Sequence, residues 1–272
     1  MGSNQIYSLT NTFNLTKVSI EDNVDETSWE KVSDWYGRIS GKEGHYYHQH
    51  VILPRSLELL NLQPDSSLLD LACGQGVLAR QIERDVPYQG VDISPGLINQ
   101  AKRLDRNPKH AYVVADVTGE LPLRRKDFSH ASSILSLQNI ADPAGVIKNA
   151  REHLKPGGKF LIVLNHPCFR IPRQSSWGID PQNKIQYRRI DRYLTPLKIP
   201  ITANPGQEKS EITWTFHFPL SYYTDLLNRH KFAIERLEEW ISDKSSVGKA
   251  AKMENRARKE FPMFMALLAK KE

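Results

Sequence analysis

The sequence predicts an α/β protein built on a doubly wound, mostly parallel sheet, and three observations carry the expectation. From position 67 onward short apolar runs alternate with amphipathic stretches, the order that lays parallel strands between layers of helices. The first run, Ser67-Leu68-Leu69-Asp70-Leu71, breaks into Ala72-Cys73-Gly74-Gln75-Gly76, where the glycines tolerate positive φ and let a ligand approach the backbone. Carboxylates recur at Asp70, Asp92 and Asp116, in or just after the first three runs, which collects acids along the edge where open α/β sheets bind ligands.

Taken in order, strands are expected near 67–72, 88–92, 111–116, 130–137, 159–165, 232–241 and 263–270. Helices are expected near 76–84, 95–104, 143–154 and 219–230. Ser94-Pro95 and Asp142-Pro143 each pair a side-chain cap with a proline at the first helical position, and Pro156-Gly157-Gly158 stops a helix before the fifth strand. Before the sheet, residues 1–28 read as a polar extension without periodicity. Residues 29–62 form a helical cap, with Trp29, Val32, Trp35 and Tyr36 at helical spacing and a segment rich in rings from His45 to His50. The remainder, 63–272, reads as one domain carrying an insertion at 167–213. That insertion holds many arginines among aromatic residues, too many rings for a disordered loop, and it leaves the carboxyl end of a strand. It is therefore expected to cover the ligand crevice.

Composition narrows the class. With 39% hydrophobic and 25% charged residues the chain is an ordinary soluble globule, and no apolar run approaches the roughly 20 residues that cross a bilayer. Two cysteines at unrelated positions make no zinc site, and together with the lack of a leader-like start they lead us to expect a cytoplasmic protein without membrane insertion. A net charge of +6 admits an anionic partner without demanding nucleic acid.

Two cofactor classes use a strand, a glycine turn and a distal acid. Gly74-Gln75-Gly76-Val77-Leu78-Ala79 fits the dinucleotide pattern, while Asp70-x-Ala72-x-Gly74-x-Gly76 resembles the D-x-G-x-G-x-G of class I S-adenosylmethionine (SAM) methyltransferases. Asp92 is placed to accept both hydroxyls of a ribose in either case. The acid at Asp116 favours the second class, as do Lys155-Pro156-Gly157-Gly158-Lys159 before the fifth strand and Trp214-Thr215-Phe216-His217-Phe218-Pro219-Leu220, which resembles a segment of the methyltransferases of ubiquinone and menaquinone biosynthesis. Ala72 departs from the family's usual glycine.

The resemblance implies a Rossmann-like sheet of seven strands closed by an antiparallel C-terminal pair, and an N-terminal helical lid. It implies SAM as cofactor and S-adenosylhomocysteine as product, with cofactor contacts from Asp70, Ala72, Gly74, Gly76, Asp92, Ile93, Asp116, Val117, Ser136 and the lid tyrosines Tyr36 and Tyr47. The acceptor is expected to be a small organic molecule, anionic or aromatic, met by Arg170, Arg188, Arg189, Tyr193 and His217. His166, at the tip of the fifth strand, is the candidate base, since a neutral imidazole can take a proton at pH 7. Methylation of RNA or another macromolecule stands as the alternative. An NAD-dependent oxidoreductase and a non-catalytic SAM-binding protein stand behind it.

Overall fold

The computed structural model describes residues 29–203 and 211–272, except for the side chains at positions 34, 36, 38 and 39. The expected extension at 1–28 and the side chain of Tyr36 therefore lie outside the described residues.

Seven strands form the central sheet: β1 (Leu68–Leu71), β2 (Tyr88–Asp92), β3 (His110–Val114), β4 (Phe128–Ile134), β5 (Leu154–Asn165), β10 (Phe232–Trp240) and β11 (Phe264–Lys271). Their order is β10-β11-β5-β4-β1-β2-β3, with β1 to β5 mutually parallel and β11 antiparallel to both β5 and β10. Sequence reading located every one of these strands. In β5 and β11 successive side chains enter opposite cores: Phe160, Ile162 and Leu164 join Met265 and Leu267 on one face, while Leu161 and Val163 join Ala266 and Leu268 on the other.

Around the sheet lie α1 (Ser33–Ser40), α2 (Leu53–Leu60), α3 (Pro95–Leu104), α4 (Pro143–His153), α5 (Leu220–Arg229) and α6 (Ala251–Glu260). The expected caps form: Ser94 Oγ accepts from Leu97 N–H, and Asp142 accepts from the N–H groups of Ala144 and Gly145. The helix expected at 76–84 does not form, and a single 3₁₀ turn, Ala79–Gln81, takes its place. The Gln75 carbonyl, which a helix would offer to the N–H of residue 79, instead accepts from Arg80 Nη1 at 2.6 Å. Only a few residues then remain before β2, too few to nucleate a helix.

The insertion folds into two hairpins, β6 (Ser175–Asp180) with β7 (Ile185–Ile190), and β8 (Leu197–Thr202) with β9 (Ile212–His217). The first packs its Trp177 edge-on against Phe261, just past α6. The second is tied to the loop after β4 by Thr215 Oγ1, which donates to the Gln138 carbonyl at 2.9 Å. On the opposite side, the N-terminal segment is strapped down. Glu30 accepts from Ser94 Oγ and Gly96 N–H, Gln75 Nε2 donates to the Gly41 carbonyl at 2.7 Å, and Arg80 donates twice to the Lys42 carbonyl.

Candidate active site

The site begins at the carboxyl ends of β1, β2 and β3. Asp70 lies in the sheet centre, paired in register with Gly90 on one side and Ser132 on the other. Its Oδ1 accepts from Ser132 Oγ and its Oδ2 from the Tyr88 phenol, both at 2.7 Å. Burial pushes this carboxyl up to about 6, against the opposing pull of the two hydroxyls.

Beyond Asp70 the chain turns through three left-handed residues, Ala72 (φ 61°), Gly74 (φ 55°) and Gly76 (φ 72°). The conformation at Ala72 explains why glycine is the usual residue in this motif, since a Cβ there costs about 1–2 kcal/mol. Nothing lies near the position a Gly74 Cβ would take, so that edge of the backbone is open to a ligand. At Gly76 a Cβ would run into the Tyr112 side chain, its hydroxyl 2.8 Å away, so this glycine serves packing and does not line the cavity.

Asp92 pins the turn. Its Oδ2 accepts from Gly74 N–H at 2.8 Å and its Oδ1 from Ser94 N–H at 2.9 Å. Burial raises its pKa while these N–H groups lower it. Two lone-pair positions remain, enough for a pair of ribose hydroxyls. Asp116 follows β3 with Oδ1 held by the Thr118 N–H and hydroxyl, both at 2.8 Å.

These groups wall a cavity of about 540 Å³. Asp70, Ala72, Gly74, Asp92, Ile93, Asp116, Val117 and Ser136 all face it, so eight of the residues expected from sequence meet in one place. The other wall residues were not singled out from sequence, although the N-terminal cap and the insertion were expected to cover the crevice. Trp29, His45 and His48 come from the N-terminal cap, Gln138 from the turn after β4, and Lys198, Ile201, Thr213 and Thr215 from the β8–β9 hairpin. Burial drives the His48 imidazole down to about 3, with His45 adding to the shift, and its buried Nδ1 has no partner among the described residues. Ring content marked the cap segment around His48, and arginine and aromatic content marked the insertion, but neither signal picked out these residues.

Several expected site residues do not reach the cavity. His166 is 1% exposed, its Nδ1 accepts from Cys168 N–H at 3.2 Å, and its Nε2–H donates to Glu239 at 2.7 Å. Both ring nitrogens are engaged at the 166–170 turn, and His166 is not among the residues that line the cavity. Arg170 lies over the Phe264 ring. Arg188 donates to the Phe169 carbonyl and Ser175 Oγ and covers Trp177, while Arg189, on the opposite face, pairs with Asp191 at the surface. His217 Nε2 donates to the Tyr193 carbonyl, and the Tyr193 hydroxyl accepts from Leu220 N–H. Tyr47 meets Ser242 and Phe264 instead of the cavity.

Comparison with known proteins bears on this geometry. Residues 69–162 match a family model described as a methyltransferase domain. The chain is 32% identical over 120 residues to the 18S rRNA (guanine(1575)-N(7))-methyltransferase of Saccharomyces cerevisiae, covering 39% of this chain and 43% of that protein. It is 26% identical over 151 residues to a demethylmenaquinone methyltransferase of Beutenbergia cavernae, covering 55% of this chain and 58% of that one. The chain spans about half the length of the curated relatives it matches. Among solved structures, an S-adenosylmethionine dependent methyltransferase from Mesorhizobium loti superposes with a TM-score of 0.61 at 25% identity, over 80% of this chain and 96% of that one. Residues 69–162 thus match a methyltransferase domain, and the strand order and the glycine turn that Asp92 pins make the fold similar to that of solved SAM-dependent methyltransferases.

Proposed function

We propose that the protein transfers the methyl group of SAM to a small organic acceptor. The observation that carries this reading is that one cavity of about 540 Å³ joins the three-carboxylate edge to the β8–β9 hairpin, a size suited to a cofactor and a small partner together. Bound SAM supplies an electrophilic methyl on a sulfonium.

In this reading Asp92 accepts from the ribose hydroxyls, Asp116 accepts from the adenine amino group, and the open backbone at Gly74 lies along the methionine portion. Asp70 holds the turn in shape through Tyr88 and Ser132. Ile201, Thr213 and Thr215 exclude water from the acceptor side and hold the nucleophile in line with the methyl carbon. Alignment of that kind is worth up to about 7–11 kcal/mol. No step is asked of His166. The menaquinone relative, whose name gives it a quinone precursor, leans the acceptor toward a small molecule. No helix among the described residues is long and apolar enough to cross a membrane.

Calorimetry with SAM, S-adenosylhomocysteine and NAD tests the reading. The two sulfur ligands are expected to bind, and at 100 times Kd to stabilise the fold by about 2.7 kcal/mol, while NAD does neither. Binding of NAD alone would overturn it.

A macromolecular acceptor is the second reading, favoured by the rRNA methyltransferase likeness and by the basic surface of α6, where Arg256 donates to the Lys184 carbonyl at the β6–β7 turn. RNA binding whose affinity falls steeply with salt would support it, because phosphate contacts release counterions.

A further inference from the structure

Positive charge gathers without a counter-ion at the β5 end of the cavity. Arg170 lies on the turn that follows this strand, between two wall residues, Asn165 and Pro172. Its guanidinium carbon stands 5.6 Å from the centre of the Phe264 ring. Phe264 pairs in register with Asn165, and directly opposed residues of an antiparallel pair share a face, so the Asn165 side chain rises beside the same ring. His45 closes the corner from the N-terminal cap. Burial first, and then the charges of Arg170 and Lys244, lower the pKa of its imidazole. Arg170 is half-buried, yet among the described residues none of its N–H donors meets an acceptor and no carboxylate pairs with it. Arg188, close enough to repel it, donates to a carbonyl and a hydroxyl and so adds a second charge of the same sign. Two acids of this side, Glu239 and Asp243, are taken up by His166 and Tyr46. The half-buried amide of Asn165 also has no partner among the described residues, and neither it nor the Arg170 guanidinium is sealed inside the fold.

We propose that this corner seats a carboxylate of the methyl acceptor, with the Asn165 amide touching it from the wall and Arg170 supplying the charge that draws it in. The inference rests on the methyltransferase reading and names its substrate class. Asn165 lines the cavity and gives the contact through Nδ2–H. Arg170 acts without touching, because an uncompensated charge is felt over several ångströms where protein replaces water. Lys198 brings a further cation into the wall from β8. The acids of the wall stand elsewhere. Asp92 and Asp116 follow β2 and β3, and β4 and β1 separate those strands from β5, which at about 4.8 Å per strand puts roughly 15–20 Å between them and the corner. The cavity is thus divided by charge, acidic where the article's reading places the ribose and adenine and basic at β5. A neutral acceptor would leave the Arg170 charge unanswered. An ammonium would be repelled by it and by the sulfonium of SAM.

The test is calorimetry on the full chain loaded with S-adenosylhomocysteine, comparing 3-phenylpropanoate and hexanoate with their isosteric amides, 3-phenylpropanamide and hexanamide. At least one carboxylate is expected to bind about 10-fold or more tightly than its amide at low salt. That margin is expected to shrink in Arg170→Gln, to return in Arg170→Lys and to vanish in Asn165→Asp, which sets a negative charge at the contact and carries the test should Arg170→Gln not fold. S-adenosylhomocysteine affinity is expected to stay level across the three variants. Equal affinity for acid and amide, no binding of either acid, or an undiminished margin in the folded variants would overturn the inference. So would S-adenosylhomocysteine affinity that falls in Arg170→Gln and recovers in Arg170→Lys, because the charge would then serve the carboxylate of the cofactor itself. Failure of the wild type to bind S-adenosylhomocysteine at all would instead sink the methyltransferase reading beneath it.

Discussion

The two halves of the cavity are built on different principles. The cofactor half is made of main chain and short carboxylates: Asp92 spans Gly74 and Ser94, Asp116 closes on Thr118, and Asp70 is held by the neighbouring strands. The other half is made of side chains carried on the β8–β9 hairpin and the N-terminal cap, and it meets the sheet through contacts such as Thr215 to Gln138. The first is fixed wherever the sheet is fixed. The second depends on contacts between segments far apart in the chain.

The sharpest probe of this contrast is Asp92→Ala. It removes the acceptor for two loop N–H groups and for a ribose, and should weaken S-adenosylhomocysteine binding by about 10- to 100-fold in titration calorimetry. Affinity within twofold of the wild type would mean that the carboxylate edge is scaffold only.

On the acceptor side, His48 should write its burial into the pH dependence of stability. Its folded pKa of about 3 lies below the ordinary 6.5, so the unfolded chain takes up the proton first. Its contribution is complete above pH 6.5 and is lost as pH falls toward 3. Between pH 7 and 5 the wild type should lose about 2 kcal/mol more than His48→Leu in urea titrations. Parallel curves would show the ring to be solvated.

A smaller effect separates the two arginines once expected to meet the acceptor. Arg188→Ala should cost about 1–2 kcal/mol by urea midpoint, because it strips the Phe169 carbonyl and Ser175 of a charged donor, with S-adenosylhomocysteine affinity unchanged. Arg189→Ala, which loses an exposed ion pair, should stay within about 0.5 kcal/mol. A small change of the opposite sign is expected from Ala72→Gly. Relief of the left-handed strain is partly offset by the freer unfolded chain, leaving a gain of at most about 1 kcal/mol in thermal melts.

Legibility in the sequence followed the same division. The strands, the capped helices and the cofactor edge could be read because their signals are local: alternating burial, a proline after a cap, a glycine two residues from the next. The helix expected at 76–84 gave way to a 3₁₀ turn, with the Arg80 guanidinium on the Gln75 carbonyl. His166 and Arg188 looked like free functional groups because their partners, Glu239 and the Phe169 carbonyl, depend on the finished fold. Gln138 and Thr215 lie 77 residues apart and advertise nothing singly.

The straps tie the N-terminal segment to the turn that shapes the cavity. Trp29 forms part of the cavity wall, Glu30 grips the start of α3, and Gln75 and Arg80, from the glycine turn and just past it, hold the carbonyls of Gly41 and Lys42. The loop that shapes the cofactor end is thus also the anchor of the segment walling it. Any loosening of residues 29–44 has to part those hydrogen bonds, and it opens the cavity on the side that Trp29 walls.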